Sequence, residues 1–354
     1  MVGGGTGGHL FPAIALGEEL SRLRYKVCLV TDTRCKGYLG PDMELQTYIL
    51  SLGSLRSGIF AKILILFRIV AAIIQSLRIV HKDKASIVIG FGGYTAFPTL
   101  FAARLLKIPI MLHEQNCFFG KVNSLFAKSA VCVALNFAET SNIPTGCQDK
   151  VIIAGNPVRS DIRRIDAKRN FSTDGIKVLV IGGSQGAKVF SNLVPEAIKI
   201  LKYKDSKIKI SVTQQASIAD QGKIREIYDD VGIDYELKEF FHDMPMRYLA
   251  SDLAICRAGA STIAELIHLG QPAILIPFPF AAEDHQFFNA SVLVSKSAAW
   301  CFRQQELTPE ILADQIIEIA NTPGSLDKVS RKLLSLSVLS EKILADTVVQ
   351  IIGK

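Results

Sequence analysis

The stretch that decides the fold runs from Lys177 to Ala187 and reads Lys-Val-Leu-Val-Ile-Gly-Gly-Ser-Gln-Gly-Ala. A strand buried on both faces of a parallel sheet reads as a continuous Val/Ile/Leu run, as Val178–Ile181 does. The glycines that follow permit a tight turn, and the helix-length run Ala187–Leu201 comes next. A helix that begins after such a turn presents free N–H groups to an anion. The stretch therefore predicts a strand–turn–helix unit of an α/β domain with a phosphate-binding turn.

The same alternation of short apolar runs and helix-length amphipathic runs continues along the chain. Such β–α alternation predicts parallel sheets with helices on both faces. Strands are predicted at 27–31, 86–89, 109–113, 131–135, 151–154, 177–181, 207–212, 237–240, 253–256 and 273–277. The fold class predicted is α/β.

The pattern occurs twice, which suits a chain of 354 residues. A seam is predicted near Gly155–Arg159, because Asn-Pro disfavours helix and fits a linker. We expect two Rossmann-like, doubly wound domains that face each other across a cleft. The first would span 1–155, with the last helix, about 340–354, packed back onto it, and the second would span 156–339.

Charge and cysteine content narrow the function classes. The chain carries 40 basic and 33 acidic residues, a net charge of +7 that favours an anionic partner. The basic residues are scattered and form no nucleic-acid motif, so nucleic acid is not an expected partner. The seven cysteines include no C-x-x-C pair, which favours buried thiols in a reducing compartment over disulfides or zinc. We expect no metal and no cofactor, and no secretory signal is recognisable at Met1.

Three glycine turns are candidates for anion binding: Gly3–His9, Gly90–Tyr94 and Gly182–Ala187. Ligands in parallel sheets bind beyond the carboxyl ends of the strands, so turns in both domains indicate anionic groups on both sides of the cleft. Only Met1 and Val2 precede the first turn. The expected strand there is either truncated or begins further upstream.

His9 follows the first turn at the start of a helix. It is either a solvated polar residue or a side chain beside bound phosphate that takes part in proton transfer. The first turn also fits G-x-G-x-x-G through Gly3, Gly5 and Gly8, with Asp32 ending the next strand, as a dinucleotide site would require. A nicotinamide-dependent (NAD) oxidoreductase is therefore an alternative, although it leaves Arg159 and the third turn unexplained.

Seven segments in order resemble the MurG glycosyltransferases of bacterial cell-wall synthesis, glycosyltransferase family 28. They are Gly4–His9, Gly92–Tyr94, His113–Asn116, Gly155–Arg159, Gly182–Ala187, Arg257–Thr262 with Glu265, and Asp284–Gln286 with Asn289 and Ala290. The resemblance covers nearly the whole chain and implies the two-domain GT-B fold. It implies inverting transfer of N-acetylglucosamine from UDP-GlcNAc to the C4 hydroxyl of the muramyl sugar of lipid I, which gives lipid II.

The resemblance also implies site residues. The candidate general base is His9, with Glu114 and His113 as rivals. Gly5, Gly92, Gly93 and Tyr94 would hold the acceptor diphosphate. The donor would be held by Thr6, Gly7, Gly8, Asn123, Arg159, Ser184, Ala260, Ser261, Thr262, Ile263, Ala264, Glu265 and Gln286. Ser184 would meet the diphosphate, Glu265 the ribose hydroxyls, and Arg159 the charge that develops on UDP.

The apolar run from Ile59 to Val80 is interrupted by Lys62, Arg68 and Arg78. It is either a fully buried helix or a helix that lies on an anionic membrane surface, and charges near its centre argue against a spanning helix. The resemblance favours the membrane, since the acceptor is a lipid, and implies a peripheral protein on the cytoplasmic face of the inner membrane. The predicted membrane residues are Ile63, Leu66, Phe67, Arg68, Ile74 and Arg78.

Two further alternatives remain open. A UDP-GlcNAc epimerase would share the fold without a lipid contact, and a non-catalytic nucleotide-sugar-binding subunit would bind the donor and recruit a partner to the membrane. Under the favoured interpretation the partners are UDP-GlcNAc, lipid I, an anionic membrane surface and other cell-wall synthesis proteins.

Overall fold

A computed structural model describes residues 1–40, 43–52, 59–166, 169–172, 174–182 and 188–353, and, of residues 59–64, the backbone only. The chain forms two compact units. The first comprises Met1–Ser160 together with Val338–Lys354, and the second comprises Asp161–Ser337. Each unit has its own parallel sheet.

The first unit contains strands β1 to β6, all parallel, and most of its helices lie between them. The strands are β1 (Cys28–Asp32), β2 (Gln46–Leu50), β3 (Val88–Gly90), β4 (Ile110–Glu114), β5 (Cys132–Leu135) and β6 (Val151–Ile153). The helices are α1 (Gly7–Arg22), α2 (Ile59–Lys82), α3 (Ala96–Leu105), α4 (Lys121–Ala127) and the last helix of the chain, Ser340–Ile352. Helix α5 (Ser160–Arg163) begins at the unit boundary, and its residues from Asp161 onwards belong to the second unit.

The residues before the first glycine turn occupy the centre of this sheet. Val2 bridges in parallel to both Val30 of β1 and Gly90 of β3. Its N–H donates to Ile89 O at 2.8 Å, and its carbonyl accepts from Phe91 N at 2.9 Å. Val2 therefore joins the pair β2–β1 to the four strands β3–β4–β5–β6, and it fills the position expected for the strand that leads into the turn.

Both faces of this sheet are covered, which explains why its strands do not alternate between apolar and polar residues. On one face α1 packs against the last helix, with Leu10, Leu16, Leu344 and Val348 fully or almost fully buried. Helices α2, α3 and α4 pack on the other face, and the core there includes Phe126.

The second unit is a six-stranded parallel sheet in the order β12–β11–β10–β7–β8–β9. The strands are β7 (Ile176–Ile181), β8 (Ile210–Gln215), β9 (Asp234–Lys238), β10 (Leu253–Cys256), β11 (Ala273–Leu275) and β12 (Trp300–Cys301). The helices are α6 (Lys188–Lys204), α7 (Ile218–Asp230), α8 (Met244–Ala250), α9 (Ala260–Leu269), α10 (His285–Ser295), α11 (Pro309–Asn321) and α12 (Ser325–Ser335); the last helix, Ser340–Ile352, is α13. Read from β7, this is the doubly wound order of dinucleotide-binding sheets, and its direction reverses between β7 and β10.

The largest differences between the predicted and the observed strands are shifts of three residues and two strands that were not predicted. The predicted strand at 207–212 is found at Ile210–Gln215. The predicted strand at 237–240 is found at Asp234–Lys238, and the strands Gln46–Leu50 and Trp300–Cys301 were not predicted. β9 is an edge strand of mixed polarity, and β12 has two residues, so neither has a continuous apolar run.

Helix α2 is not fully buried. Leu66, Phe67, Val70 and Ile74 expose between 45 and 69% of their surface, and Arg68 and Arg78 are exposed as well. The alternative of a fully buried helix is therefore wrong. The predicted membrane residue Ile63 has a side chain outside the described part of the structure. Within that described part, no helix combines the length and hydropathy needed to cross a bilayer.

Candidate functional site

The first glycine turn lies between Val2 and α1, at the carboxyl edge of the first sheet. Gly5 has φ +85°, a conformation that favours glycine. Thr6 precedes α1 in an extended conformation and is exposed, and Gly7 and Gly8 form the first turn of the helix. The start of a helix carries partial positive charge, which favours an anion at this position.

The second glycine turn touches the first. Gly92 and Gly93 have φ of +77° and +73°. A Cβ atom on Gly93 would stand 3.0 Å from the carbonyl oxygen of Gly4 and 3.0 Å from Cδ2 of His9. Glycine is required here both by the backbone conformation and by this close approach, and the contact brings the two turns and the imidazole together at the switch point of the sheet.

His9 is the first member of a chain of hydrogen bonds that continues into the core. Its Nδ1 lies 3.0 Å from Oε1 of Gln115, whose Nε2 lies 2.9 Å from Nδ1 of His113. Nε2 of His113 lies 2.8 Å from the carbonyl oxygen of Gly155. His9 is half-buried, whereas Gln115 and His113 are buried. Nε2, the other ring nitrogen of His9, lies 3.3 Å from where a Cβ on Gly93 would stand.

His113 is poorly placed to act as a base. Its side chain is 0% exposed, and both ring nitrogens are in hydrogen bonds. Burial lowers its pKa to about 4, although the bond to Gly155 acts in the opposite direction. A neutral, enclosed imidazole has no lone pair free for a substrate hydroxyl.

Glu114, the other rival, organises the loop after β4. Its Oε1 accepts from the backbone N–H of Asn116 at 3.1 Å. Its Oε2 accepts from the N–H of Gly120 at 3.0 Å and from Nδ2 of Asn123 at 2.8 Å. With a fourth donor, Nδ2 of Asn116 at 3.4 Å from Oε1, this buried carboxylate is suited to fixing a loop.

Asn123 links this loop to the second glycine turn. Its Nδ2 donates to Glu114 and to the carbonyl oxygen of His113, and it lies 3.2 Å from where a Cβ on Gly92 would stand. Its Oδ1 is buried and has no hydrogen-bond partner among the described residues. An acceptor atom left in this way is available to a ligand hydroxyl. Its position associates Asn123 with the turns of the first unit.

The Asp32 carboxylate is bonded to Arg34 and Thr95 of the same unit. Its carboxylate accepts from the backbone N–H of Arg34 at 2.8 Å, from the Arg34 guanidinium at 2.6 Å and from the hydroxyl of Thr95. Burial alone would raise the pKa of Asp32, but these hydrogen bonds hold it below its ordinary value. The carboxylate is 1% exposed and is not available to a ribose. This removes the main support for the dinucleotide interpretation.

Tyr94 and Arg159 are placed on the first unit. The Tyr94 hydroxyl is buried and finds no hydrogen-bond partner among the described residues, and burial raises its pKa. The Arg159 guanidinium lies 5.2 Å from the ring centroid of Phe11, which belongs to α1. A cation over an aromatic face at this distance is a favourable contact that fixes the position of the side chain.

In the second unit the switch point lies between β7 and β10. The predicted donor residue Ser184, which follows β7 in the sequence, lies outside the described residues. Helix α9 begins after Gly259, directly beyond β10, and ends at Gly270 with φ +57°. Ala260, Ile263 and Ala264 are at most 6% exposed, so their side chains belong to the core and not to a ligand surface. Helical periodicity leaves Ser261, Thr262 and Glu265 on the half-exposed face.

Glu265 is oriented by Tyr248. The Tyr248 hydroxyl donates to Oε2 of Glu265 at 3.2 Å, and the tyrosine itself is 1% exposed. A hydrogen bond from a buried donor holds the carboxylate in a defined orientation, and carboxylate oxygens are suitable acceptors for a diol.

Gln286 lies at the start of α10, after an unusual backbone segment. Glu283 and Asp284 have φ of +53° and +52°, two successive left-handed residues that are not glycine. Oε1 of Gln286 accepts from the N–H of Phe278 at 3.0 Å. The left-handed conformations of Glu283 and Asp284 cost free energy, and such residues are found mostly where a loop must present a functional group.

Sequence reasoning missed three residues of these sites: Gln115, Arg34 and Tyr248. Gln115 belongs to the quoted run His113–Asn116, but its partner His9 is 106 positions away in the chain. Arg34 follows Asp32 by two residues, a spacing that allows the ion pair, and nothing in the sequence distinguishes Tyr248.

The fold and these sites define the class. Two Rossmann-type units, each with candidate ligand residues at the carboxyl edge of its sheet, are the architecture of GT-B glycosyltransferases. Residues 1–135 match the glycosyltransferase family 28 N-terminal domain, and residues 177–345 match the glycosyltransferase family 28 C-terminal domain. The chain belongs to glycosyltransferase family 28 and is an enzyme of the transferase class.

Relatives extend over the full length of the chain. A protein of Rickettsia felis is 42% identical over 361 residues, and one of Rickettsia bellii is 41% identical over 355 residues, with 99% of each chain covered in both cases. Both are named UDP-N-acetylglucosamine–N-acetylmuramyl-(pentapeptide) pyrophosphoryl-undecaprenol N-acetylglucosamine transferase. The crystal structure of Acinetobacter baumannii MurG is similar at a TM-score of 0.79 and 27% identity, with 99% of this chain and 98% of that chain covered.

Proposed function

We propose that the protein transfers N-acetylglucosamine from UDP-GlcNAc to the C4 hydroxyl of the muramyl sugar of lipid I, giving lipid II and UDP. Relatives of about 40% identity over the whole chain carry the name of this reaction. The observation that carries the proposal is the His9 imidazole between the two glycine turns of the first unit. A base placed beside a diphosphate site is what a sugar acceptor on a diphosphate carrier requires.

In the proposed mechanism His9 acts as the general base. Its Nε2 takes the proton of the C4 hydroxyl while that oxygen attacks the anomeric carbon of the donor sugar. The bond from the anomeric carbon to the β-phosphate oxygen breaks in the same displacement, and UDP leaves with the electron pair. The configuration inverts because the attack occurs once, from the face opposite the leaving group. No covalent enzyme intermediate is required.

The acceptor diphosphate is assigned to Gly5, Gly92, Gly93 and Tyr94. The backbone N–H groups of the two turns and the start of α1 favour an anion. The Tyr94 hydroxyl and the unsatisfied Oδ1 of Asn123 lie close to the same turns and would bond to the acceptor. We therefore propose that Asn123 binds the acceptor, whereas the resemblance implied the donor.

The donor is assigned to the second unit, with Glu265 on the ribose hydroxyls and Gln286 on the sugar. The hydrogen bond from Tyr248 supports this role for Glu265. Ser184, Ser261 and Thr262 complete the donor site in this proposal, together with the backbone of Ala260. Thr6, Gly7, Gly8 and Arg159 are assigned to the donor as well, and the positive charge of Arg159 would stabilise the leaving diphosphate.

We also propose that the protein is peripheral on the cytoplasmic face of the inner membrane, where it works with other cell-wall synthesis proteins and contributes to cell division and cell shape. Helix α2 supports this, because it exposes Leu66, Phe67 and Ile74 together with Arg68 and Arg78. Apolar and basic side chains on one helix suit an anionic lipid surface. Reversing the charge of Arg68 and Arg78 should weaken binding to anionic vesicles. Unchanged binding would show that α2 is not the anchor.

The decisive experiment incubates the protein with radiolabelled UDP-GlcNAc and a water-soluble lipid I analogue, and counts label in the product. His9→Ala should lower turnover by roughly 100-fold or more, the usual contribution of a general base, and leave donor affinity near that of the wild type. Glu265→Ala should mainly weaken donor binding. His81→Ala, which replaces an exposed histidine on α2, serves as the control and should retain turnover. Donor binding without transfer would favour the non-catalytic subunit, and full turnover in His9→Ala would exclude His9 as the base.

A further inference from the structure

The hydrogen bonds of the buried chain have only one consistent direction, and it begins at Gly155. The carbonyl oxygen of Gly155 can only accept, so Nε2 of His113 must carry the proton in the bond of 2.8 Å. His113 is neutral at physiological pH because burial lowers its pKa to about 4. Its Nδ1 therefore has a lone pair and accepts.

The side-chain amide of Gln115 is oriented by this lone pair. Its Nε2 donates to Nδ1 of His113 at 2.9 Å and to the carbonyl oxygen of His113 at 3.1 Å, so two acceptors fix the same orientation of the amide. Oε1 then faces Nδ1 of His9 at 3.0 Å. An amide oxygen only accepts, so Nδ1 of His9 must hold the proton.

We propose that Gln115, held by His113, is a positioning residue that keeps neutral His9 in the Nδ1–H tautomer, so that Nε2 is the lone pair presented to the acceptor hydroxyl. This inference rests on the proposed role of His9 as the base. A histidine free to exchange tautomers presents the wrong nitrogen part of the time, and a fixed tautomer removes that loss.

Nε2 of His9 is also the nitrogen beside the second glycine turn, where the acceptor is proposed to bind. It stands 3.3 Å from the position of a Cβ on Gly93, whereas Nδ1 faces the core through Gln115. The hydrogen-bond direction and the ring orientation therefore place the same atom at the second glycine turn. Gln115 is 1% exposed and cannot reach a substrate itself, so its effect passes through His9.

The test reads the tautomer directly, by long-range ¹H–¹⁵N NMR of histidine-labelled full-length protein near pH 8, where an ordinary imidazole of pKa about 6.5 is neutral. In the wild type the unprotonated nitrogen should be Nε2 for His9 and Nδ1 for His113. Gln115→Met keeps the side-chain length and removes the three side-chain hydrogen bonds to His9 and His113, so His9 should become a mixture of tautomers. Wild-type His9 with a protonated Nε2 overturns the proposal without any variant.

Kinetics provide the second measurement. Gln115→Met should lower kcat by about 10-fold to 100-fold, part of what general base catalysis contributes, with the KM for UDP-GlcNAc within about twofold of the wild type. An unchanged His9 tautomer in Gln115→Met overturns the proposal.

Gln214→Met is the matched control. Gln214 is buried in the second unit, donates to Phe190 O at 3.1 Å and accepts from the Tyr228 hydroxyl at 2.6 Å. The Gln214→Met variant loses these two buried hydrogen bonds and should change neither the His9 resonances nor the kcat. If the wild type shows the expected tautomer but no transfer to the lipid analogue, the proposed function fails and the tautomer assignment stands. Transfer with the opposite tautomer would support the proposed function and overturn the tautomer assignment.

Discussion

Lowering the pH from 7 to 5 should destabilise the first unit through His113. The folded pKa of about 4 lies below the ordinary value of 6.5 because the side chain is fully buried. Between these values the unfolded chain binds a proton that the folded unit does not. The stabilisation is therefore complete above pH 6.5, and it declines as the pH falls towards 4. Linkage gives a loss of about 2 kcal/mol in the free energy of unfolding between pH 7 and pH 5.

The assay must report on the first unit. Trp300, the only tryptophan, lies in the second unit, so its fluorescence serves as an internal reference during unfolding in urea. Amide hydrogen exchange of peptides from β4 and β5 follows the first unit, after correction for the intrinsic effect of pH. His113→Gln should remove the extra loss between pH 7 and pH 5, whereas His81→Gln, at an exposed position, should not. Equal losses in the wild type and in His113→Gln would refute the neutral assignment, and with it the direction of the bonds that reach His9.

Three further predictions concern the glycine turns, the donor site and helix α2. Gly93→Ala should cost about 1–3 kcal/mol of stability in thermal unfolding, because φ is +73° and a Cβ would meet atoms of the first turn at 3.0 Å; an unchanged melting temperature would contradict this. Tyr248→Phe removes the bond to Glu265 and should weaken UDP binding in titration calorimetry by roughly 2-fold to 10-fold. Equal affinity would show that the Tyr248 hydrogen bond does not support donor binding by Glu265. Leu66→Ser with Phe67→Ser removes side chains that are 62 and 69% exposed, and should weaken vesicle binding by about 2 kcal/mol without loss of stability; unchanged vesicle binding would exclude these two side chains from the lipid contact.

Much of the fold was predictable because buried parallel strands have a recognisable composition. Leu253–Cys256 was predicted with its observed bounds, and Val151–Ile153 differs by one residue. The strand Gln46–Leu50 was missed because its burial is uneven and it contains Gln, Thr and Tyr. Trp300–Cys301 is too short to produce a pattern.

For the candidate site, too, sequence composition predicted some features and not those that depend on three-dimensional placement. His9 and the glycine turns were predictable, because the residue types that bind anions and move protons are few and follow strands. The role of Gln115 was not, because it depends on which of two ring nitrogens faces an amide oxygen. Ile263 and Ala264 are buried because they lie on the face of helix α9 that packs on the sheet. A motif match does not distinguish the buried face of a helix from its exposed face.

The sheet of the first unit is weakly connected at Val2. Strands β1 and β2 are joined to the other four through the backbone of a single residue and its immediate neighbours, with hydrogen bonds of 2.8 to 3.2 Å on both sides. A sheet with so narrow a seam can separate into two cooperative blocks there. The seam lies directly beneath the glycine turn that leads to His9, so fraying between the blocks would displace the imidazole before either block lost its own structure.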